Sequence, residues 1–141
     1  MGRDSQWSRF RLAAARESRC PTGLDIYNKR VITARGAMDV ELHPSAQAEL
    51  GNIRSRQEHA AMLNAIATLE AIGPTLGYPH TSQVRGTPIR ELRPRAGHSP
   101  WRAFYCRIGD VLRIGAIGPE ATVSPRGFSA AVERARRRLG V

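Results

Sequence analysis

Hydrophobic and polar residues fall into a regular pattern from Met38 onward. In the stretch MDVELHP, Val40 and Leu42 alternate with polar residues, which predicts a half-buried strand. Pro44 then opens a short helix that ends near Gly51. The regular part of the chain therefore begins with a strand followed by a helix.

A long helix is predicted after Ser55. Ser55 and Glu58 match a capping box, in which the hydroxyl of the first residue caps the helix. Gly73 and Pro74 form a stop signal, so this helix should end near residue 72. Apolar residues recur along one face of the helix: Met62, Leu63, Ile66 and Leu69.

The second half of the chain predicts a loop, three strands and a helix. The loop covers residues 74–88 and is anchored by Leu76 and Val84. The strands are predicted at residues 89–94, 101–108 and 111–117. A final helix starts at Ser124 with Pro125 in its first turn. Its apolar face consists of Phe128, Ala131, Val132, Ala135 and Leu139.

The element order β-α-α-β-β-β-α predicts an α+β fold in residues 38–141. We expect an antiparallel sheet with the helices packed on one face and the other face free. Residues 1–37 carry a net charge of +5 and show no sustained period. They are predicted to be a poorly ordered basic extension, or sequence upstream of a true start at Met38.

Charge is the unusual property of the composition. The chain has 22 basic and 12 acidic residues, a formal net charge of +10, and all of its basic residues except Lys29 are arginines. The planar guanidinium group of arginine binds phosphate oxygens well. A polyanionic partner is one interpretation, and the arginine bias of a GC-rich genome is the other.

The remaining composition narrows the class of protein. Cys20 and Cys106 show no CxxC spacing, so neither a disulfide framework nor a zinc site is predicted, and no cofactor is expected. No apolar run approaches the roughly 18 residues that a membrane span needs. We therefore expect a cytoplasmic protein without a membrane partner.

Strand alternation places charged residues on the sheet face opposite Leu92. Glu91 and Arg93 share that face, and Arg113 joins it if Leu112, Ile114 and Ala116 form a core row. The middle strand is ambiguous, because both of its rows are acceptable core rows: Ala103, Tyr105 and Arg107, or Arg102, Phe104 and Cys106.

If Arg102 lies on the open face, it is a neighbour of Arg93. Guanidinium groups this close repel each other unless an anion lies between them. A phosphate group is one such anion. The structural alternative is that Glu91 pairs with an arginine and the other arginines are solvated.

Three stretches together resemble the RelE/ParE toxin superfamily, and within it the phage-derived HigB-like branch. They are the loop TLGYPHTSQVRG, the run ELRPR…WRAFYCRIGDV, and the ending SPRGFSAAVERARRRL. The resemblance covers about residues 38–139 and implies a RelE-like packing of helices on the sheet. It also implies the toxin of a type II toxin–antitoxin pair.

The resemblance implies a metal-free endoribonuclease that cleaves mRNA, commonly on the ribosome. In that reaction the RNA 2′-hydroxyl attacks the adjacent phosphate and leaves a 2′,3′-cyclic phosphate and a 5′-hydroxyl. A cognate antitoxin, in the form of a helix-turn-helix protein, is also implied. The alternative is a toxin without enzymatic activity, either a ParE-like gyrase inhibitor or a relative that only binds nucleic acid or its antitoxin.

Residue by residue, Arg93 and Arg102 match the strand positions that hold the scissile phosphate in the superfamily. Glu91 either acts as the base or orients Arg93. Three further arginines are predicted to bind RNA: Arg95 of the predicted hairpin, Arg113 of the open sheet face, and Arg126, which opens the last helix. His98 is expected at the surface, and Tyr105 in the core.

Two departures from the superfamily weaken the case for cleavage. Phe128 stands where well-studied members carry a catalytic tyrosine, and phenylalanine cannot transfer a proton. The stretch GPEATVS replaces a basic cluster after the last strand. The binding residues are thus better preserved than the acid and base.

Overall fold

The computed structural model describes residues 6–10 and 37–141, and most elements lie where the pattern predicts them. They are β1 (Ser8–Arg9), β2 (Asp39–Leu42), α1 (Pro44–Gly51), α2 (Arg56–Ile72), β3 (Thr81–Gln83), β4 (Arg90–Leu92), β5 (Trp101–Ile108), β6 (Val111–Pro119) and α3 (Pro125–Leu139). β3 lies inside the predicted loop, and β1 lies inside the predicted basic extension. The rest of that extension falls outside the described residues.

The strands form one six-stranded sheet in the order β1-β2-β6-β5-β4-β3. All neighbours are antiparallel except β2 and β6, which are parallel. The prediction of a purely antiparallel sheet is therefore wrong at this pair. Alternation of polar and apolar residues predicts a strand, but it does not carry the direction of the neighbouring strand.

Helices cover both faces of the sheet. On one face, α1 and α2 pack against side chains that include Ala103 and Tyr105 of β5. On the other face, α3 packs against Phe104 and Cys106 of the same strand. The prediction of helices on one face only is wrong, because each row of β5 has buried apolar side chains that are covered by their own helical layer.

A β-bulge in β6 explains why the predicted core row Leu112, Ile114 and Ala116 is divided between the two faces of the sheet. Phe104 pairs with Ala116 while Tyr105 pairs with Ile114, so Gly115 is the extra residue. Ala116 therefore faces α3 and does not continue the predicted row with Leu112. A Cβ at Gly115 would lie 3.0 Å from the backbone of α3, so a glycine there allows the helix to lie directly on the strand.

The helix caps follow the sequence signals at two of three helices. The hydroxyl of Ser55 accepts a hydrogen bond from the Glu58 amide at 3.2 Å, and that of Ser124 accepts one from the Gly127 amide at 3.0 Å. α1 is capped differently, because Nδ1 of His43 accepts a hydrogen bond from the backbone amide of the helix at 3.1 Å. A cap of this kind requires a neutral imidazole.

The His43 cap makes part of the stability dependent on pH. Burial lowers the pKa of His43, Arg138 lowers it further, and Glu49 opposes both. The unfolded chain, with a histidine pKa near 6.5, therefore takes up this proton first as the pH falls. The contribution is complete above about pH 6.5 and is lost as the pH falls through the folded-state pKa.

We expect the variant His43→Asn to lack this pH dependence, because asparagine caps a helix without titrating in this range. The free energy of unfolding of wild type and variant would be measured by urea titration across the acidic range. Below about pH 6.5, the free energy of unfolding of wild type should fall relative to that of the variant. A difference that stays constant with pH would contradict this role for His43.

Candidate functional site

Glu91 is the centre of the candidate site. It lies in the middle of β4, pairs with Phe104 across the strand gap, and points to the face on which α3 packs. Its side chain is only 13% exposed. One carboxylate oxygen lies 3.3 Å from Nε of Arg102, and the other lies 3.6 Å from Nη1 of Arg93. The sheet thus brings the three predicted residues together, with the carboxylate bridging two guanidinium groups.

Arg93 directly follows β4 and remains accessible. Its side chain is 20% exposed. Nε donates a hydrogen bond to the carbonyl oxygen of Pro79 at 3.0 Å, and the guanidinium carbon lies 5.3 Å from the centre of the Tyr78 ring. The guanidinium plane is therefore fixed by these contacts and by the ion pair of Nη1 with Glu91, and its N–H groups outnumber these partners, which leaves donors for an anion.

Arg102 is buried, with 4% of the residue exposed. Nη1 donates to the carbonyl oxygens of Ser99 at 2.7 Å and Trp101 at 2.9 Å, and Nη2 lies 3.4 Å from a carboxylate oxygen of Glu120. Burial lowers the pKa of Arg102, and the carboxylates of Glu120 and Glu91 oppose this effect. Internal carboxylates thus neutralise Arg102, so it does not form an open cationic pair with Arg93.

The loop between β4 and β5 is strained. Arg95 and Ala96 have φ values of 56° and 55°, a left-handed conformation that is uncommon for residues with a side chain. Such residues cost on the order of 1–3 kcal/mol each and persist only where the surroundings hold them. Arg102 supplies part of that hold through the carbonyl oxygens that it binds. Arg95 in this loop is exposed.

Gly97 ends this strained turn and lies against the site. Its φ is 98°, and a Cβ at this position would lie 2.6 Å from Nη2 of Arg93. Its carbonyl oxygen also accepts a long hydrogen bond of 3.5 Å from Arg102. Glycine is therefore required both for the backbone conformation and for the position of the Arg93 guanidinium group.

Two of the predicted RNA-binding arginines lie apart from this centre. Arg113 lies near the far end of β6, where Nε donates to Glu41 at 2.9 Å and the guanidinium group stacks 4.9 Å from the Trp7 ring centre. Arg126 is exposed in the first turn of α3. Arg95 is exposed in the strained loop close to Arg93.

The remaining candidate residues take structural or surface positions. Tyr105 is buried in the core beneath α1 and α2, and His98 is exposed, as predicted. Phe128 packs edge-on against Phe104, with ring centres 5.2 Å apart. Phe128 therefore provides an aromatic contact between α3 and the sheet.

Glu49 is a charged residue that the sequence pattern did not identify. It lies on α1 and binds Arg134 and Arg138 of α3, both at 3.2 Å. It also accepts a hydrogen bond from the backbone amide of Ile117 at 2.9 Å. Two arginines of the predicted outer face of α3 are therefore bound within the domain, while Arg137 is exposed.

Two grooves flank the Glu91–Arg93 pair. The larger one, of about 690 Å³, lies between α2 and the loops before β3 and after β4, and His80, Arg93 and Arg95 line one side of it. The second, of about 480 Å³, lies between the β3–β4 hairpin and α3, and Glu91 and Phe128 line it. Both volumes lie within the roughly 300–1,000 Å³ range of ligand sites.

The described ranges contain no cluster of three or more histidine, cysteine, aspartate or glutamate residues arranged for a metal ion. Among the same residues, no helix combines the length and the apolar character needed to cross a membrane.

No curated protein matches the chain at a significant level. The segment that runs from the end of α1 through β5 carries Glu91, Arg93 and Arg102 and ends at the first residue of β6. This segment, residues 52–111, matches the family model described as phage derived protein Gp49-like (DUF891).

Proposed function

We propose that this protein is the toxin of a type II toxin–antitoxin pair and a metal-free endoribonuclease that cleaves mRNA, with the ribosome as the site of cleavage. The Gp49-like family is associated with RelE-like toxins, which supports the toxin assignment. The observation that carries the proposal is the contact between Glu91 and Arg93, two partly exposed groups held 3.6 Å apart beside the exposed Arg95.

This pair supplies two of the three functions that the reaction needs. Arg93 binds the scissile phosphate and stabilises the charge that develops on its oxygens. Glu91 takes the proton of the 2′-hydroxyl as the 2′-oxygen bonds to phosphorus. The bond from phosphorus to the 5′-oxygen then breaks, and that oxygen needs a proton. We assign this proton to His80, which is exposed and lines the groove beside Arg93.

Arg102 has a different role in this proposal from the one that the family resemblance implies. It is a positioning residue, because its Nη groups donate to Glu120 and to carbonyl oxygens of the strained loop, and its buried Nε forms an ion pair with Glu91. It fixes the orientation of Glu91 and the path of the loop that carries Arg95. Arg102 therefore affects the reaction only by positioning these residues, and it does not contact the phosphate.

The proposal includes three partners. The mRNA and the ribosome bring polyanionic surfaces to the partly exposed Arg93 and to the exposed Arg95 and Arg126. A cognate antitoxin, proposed as a helix-turn-helix protein, restrains the toxin in its host. We place the antitoxin contact away from Arg134 and Arg138, because Glu49 already binds both.

The variant Glu91→Gln tests the proposed base. Glutamine keeps the size of the side chain but does not accept the proton, so cleavage should fall about 100- to 10,000-fold. The full chain would be expressed in a bacterial host, and primer extension would map breaks in mRNA. The chemistry of the ends of the cleaved RNA would be determined as well.

Asp110→Asn is the matched control for this variant, because Asp110 is an exposed carboxylate in the turn between β5 and β6 and lies outside both grooves. It should cleave like wild type. Thermal melting of both variants shows whether Glu91→Gln still folds. Intact mRNA in cells that express wild type and stop growing would contradict the cleavage reaction itself.

A second candidate is a toxin or binding module without enzymatic activity. The observation that favours it is the neutralisation of Arg102 by two carboxylates, together with the packing of Phe128 against Phe104. In that case the exposed arginines bind nucleic acid or the antitoxin without a reaction. Growth arrest with intact mRNA would support this candidate, and damaged DNA would indicate gyrase as the target.

A further inference from the structure

Tyr78 is an aromatic residue at the surface of the described domain. It lies in the loop before β3 and is 77% exposed, whereas the other exposed large apolar residues are aliphatic. A phenol ring in this position gains little from contact with the protein core. The exposed ring is therefore available for contact with a partner.

Arg93 holds one side of the Tyr78 ring. The guanidinium carbon lies 5.3 Å from the ring centre, and Pro79 and Glu91 fix the guanidinium group through Nε and Nη1. The ring is thus supported on one face by a group that is itself anchored. With 77% of the residue accessible, the opposite face is open to a flat ligand.

Basic side chains near this ring continue into the larger groove. Arg93, Arg95 and His80 line the same 690 Å³ groove. Its opposite wall is formed by small and neutral polar residues of α2: Gln57, Ala60, Ala61, Asn64, Ala65 and Thr68. A chain of phosphates passing over Arg93 would therefore leave Tyr78 on one side and a neutral groove on the other.

We propose that Tyr78 and Arg93 form a stacking platform for one base of single-stranded RNA. The base stacks on the open face of Tyr78, and its phosphate lies on Arg93 and Arg95. Single-stranded RNA fits because its bases are free to leave the stack, whereas paired bases are not. This inference deepens the proposed function, on which it rests, by assigning the structural class of the substrate at that site.

Binding of a short single-stranded RNA with 2′-O-methyl riboses tests the platform, because this RNA binds but cannot react. Tyr78→Ala should weaken binding measured by fluorescence anisotropy roughly 5- to 150-fold, the range for loss of one stacked base. Tyr78→Phe should bind like wild type, since it keeps the ring. Ile72→Ala, a change at another exposed apolar residue, is the control and should also bind like wild type.

A fluorescent base separates stacking from an indirect effect on Arg93. 2-Aminopurine is placed at successive positions of the same RNA, and its fluorescence should fall at one position on binding. The fall should occur with wild type and Tyr78→Phe and be absent with Tyr78→Ala at saturating protein. Duplex RNA of the same sequence should bind wild type and Tyr78→Ala equally.

The outcomes separate this inference from the proposed function. If wild type cleaves RNA and Tyr78→Ala binds the single strand as tightly as wild type, the platform is wrong and the proposed function stands. If wild type neither binds nor cleaves RNA, the proposed function fails first. Loss of binding to an acidic peptide but not to RNA in Tyr78→Ala would overturn the platform and assign the ring to a protein partner.

Discussion

Replacing Arg102 with methionine is expected to lower the free energy of unfolding by about 3–5 kcal/mol. The side chain is 5% exposed, and its guanidinium group contacts Glu91, Glu120 and carbonyl oxygens of the preceding loop. Methionine would fill part of the volume and leave buried carboxylates and carbonyl groups without their donor. The melting temperature should fall by about 10–15 °C, which differential scanning calorimetry would measure.

Arg95→Met is the matched control, because Arg95 is exposed in the same loop. An exposed substitution of this kind changes stability by about 0.5 kcal/mol or less. If Arg102→Met melts like wild type and loses only its activity on RNA, Arg102 is a substrate contact and the positioning role is wrong. The comparison therefore decides between the role that the resemblance implies and the role that the contacts support.

Local sequence signals predicted the elements that surround the site. The Ser55 and Ser124 caps, the apolar stripe of α2 and the bounds of β5 all depend on residues within a few positions of each other. Interactions at this range are set by the geometry of a helix turn or a strand repeat. The grouping of Glu91 with Arg93 on one face follows from the same two-residue repeat.

The features that the sequence did not predict depend on residues distant in the chain. The bulge at Gly115 changes the row of Ala116, and it follows from the pairing of β5 with β6 and the close approach of α3. The carboxylate of Glu120 reaches Arg102 because Trp101 pairs with Pro119 across that hairpin. Alternation fixes the face of a side chain, but it does not identify the partner that neutralises it.

The partners found in the structure change how the high arginine content is interpreted. Part of the arginine content is used inside the fold, where Glu41, Glu49 and Glu91 each hold one or two guanidinium groups. The number of basic residues, 22, therefore overstates the number of cations that are free for RNA. The arginines that matter for a polyanion are those left accessible around the larger groove, and Arg93 is the one of them that also contacts a candidate base.

Arg93→Ala is accordingly expected to reduce RNA cleavage about 100- to 1,000-fold, the usual effect of removing one group that stabilises charge in a transition state. Stability should change by about 1 kcal/mol or less, because the ion pair with Glu91 is long and partly solvated. Single-turnover cleavage of a defined mRNA by the purified full chain, with ribosomes present, would measure the rate. Urea unfolding of the same preparations would measure the stability.

Arg107→Ala is the control for this variant, since Arg107 is exposed near the opposite end of β5 and its Nε donates to the carbonyl oxygen of Gly109. It should cleave at the wild-type rate. Arg93→Ala should also reduce the slope of log affinity against log salt by about 0.7, because one phosphate contact to single-stranded RNA is lost. A reduced salt slope with unchanged cleavage would make Arg93 a binding residue only. If Arg93→Ala has the wild-type salt slope and the wild-type cleavage rate, Arg93 does not bind the phosphate.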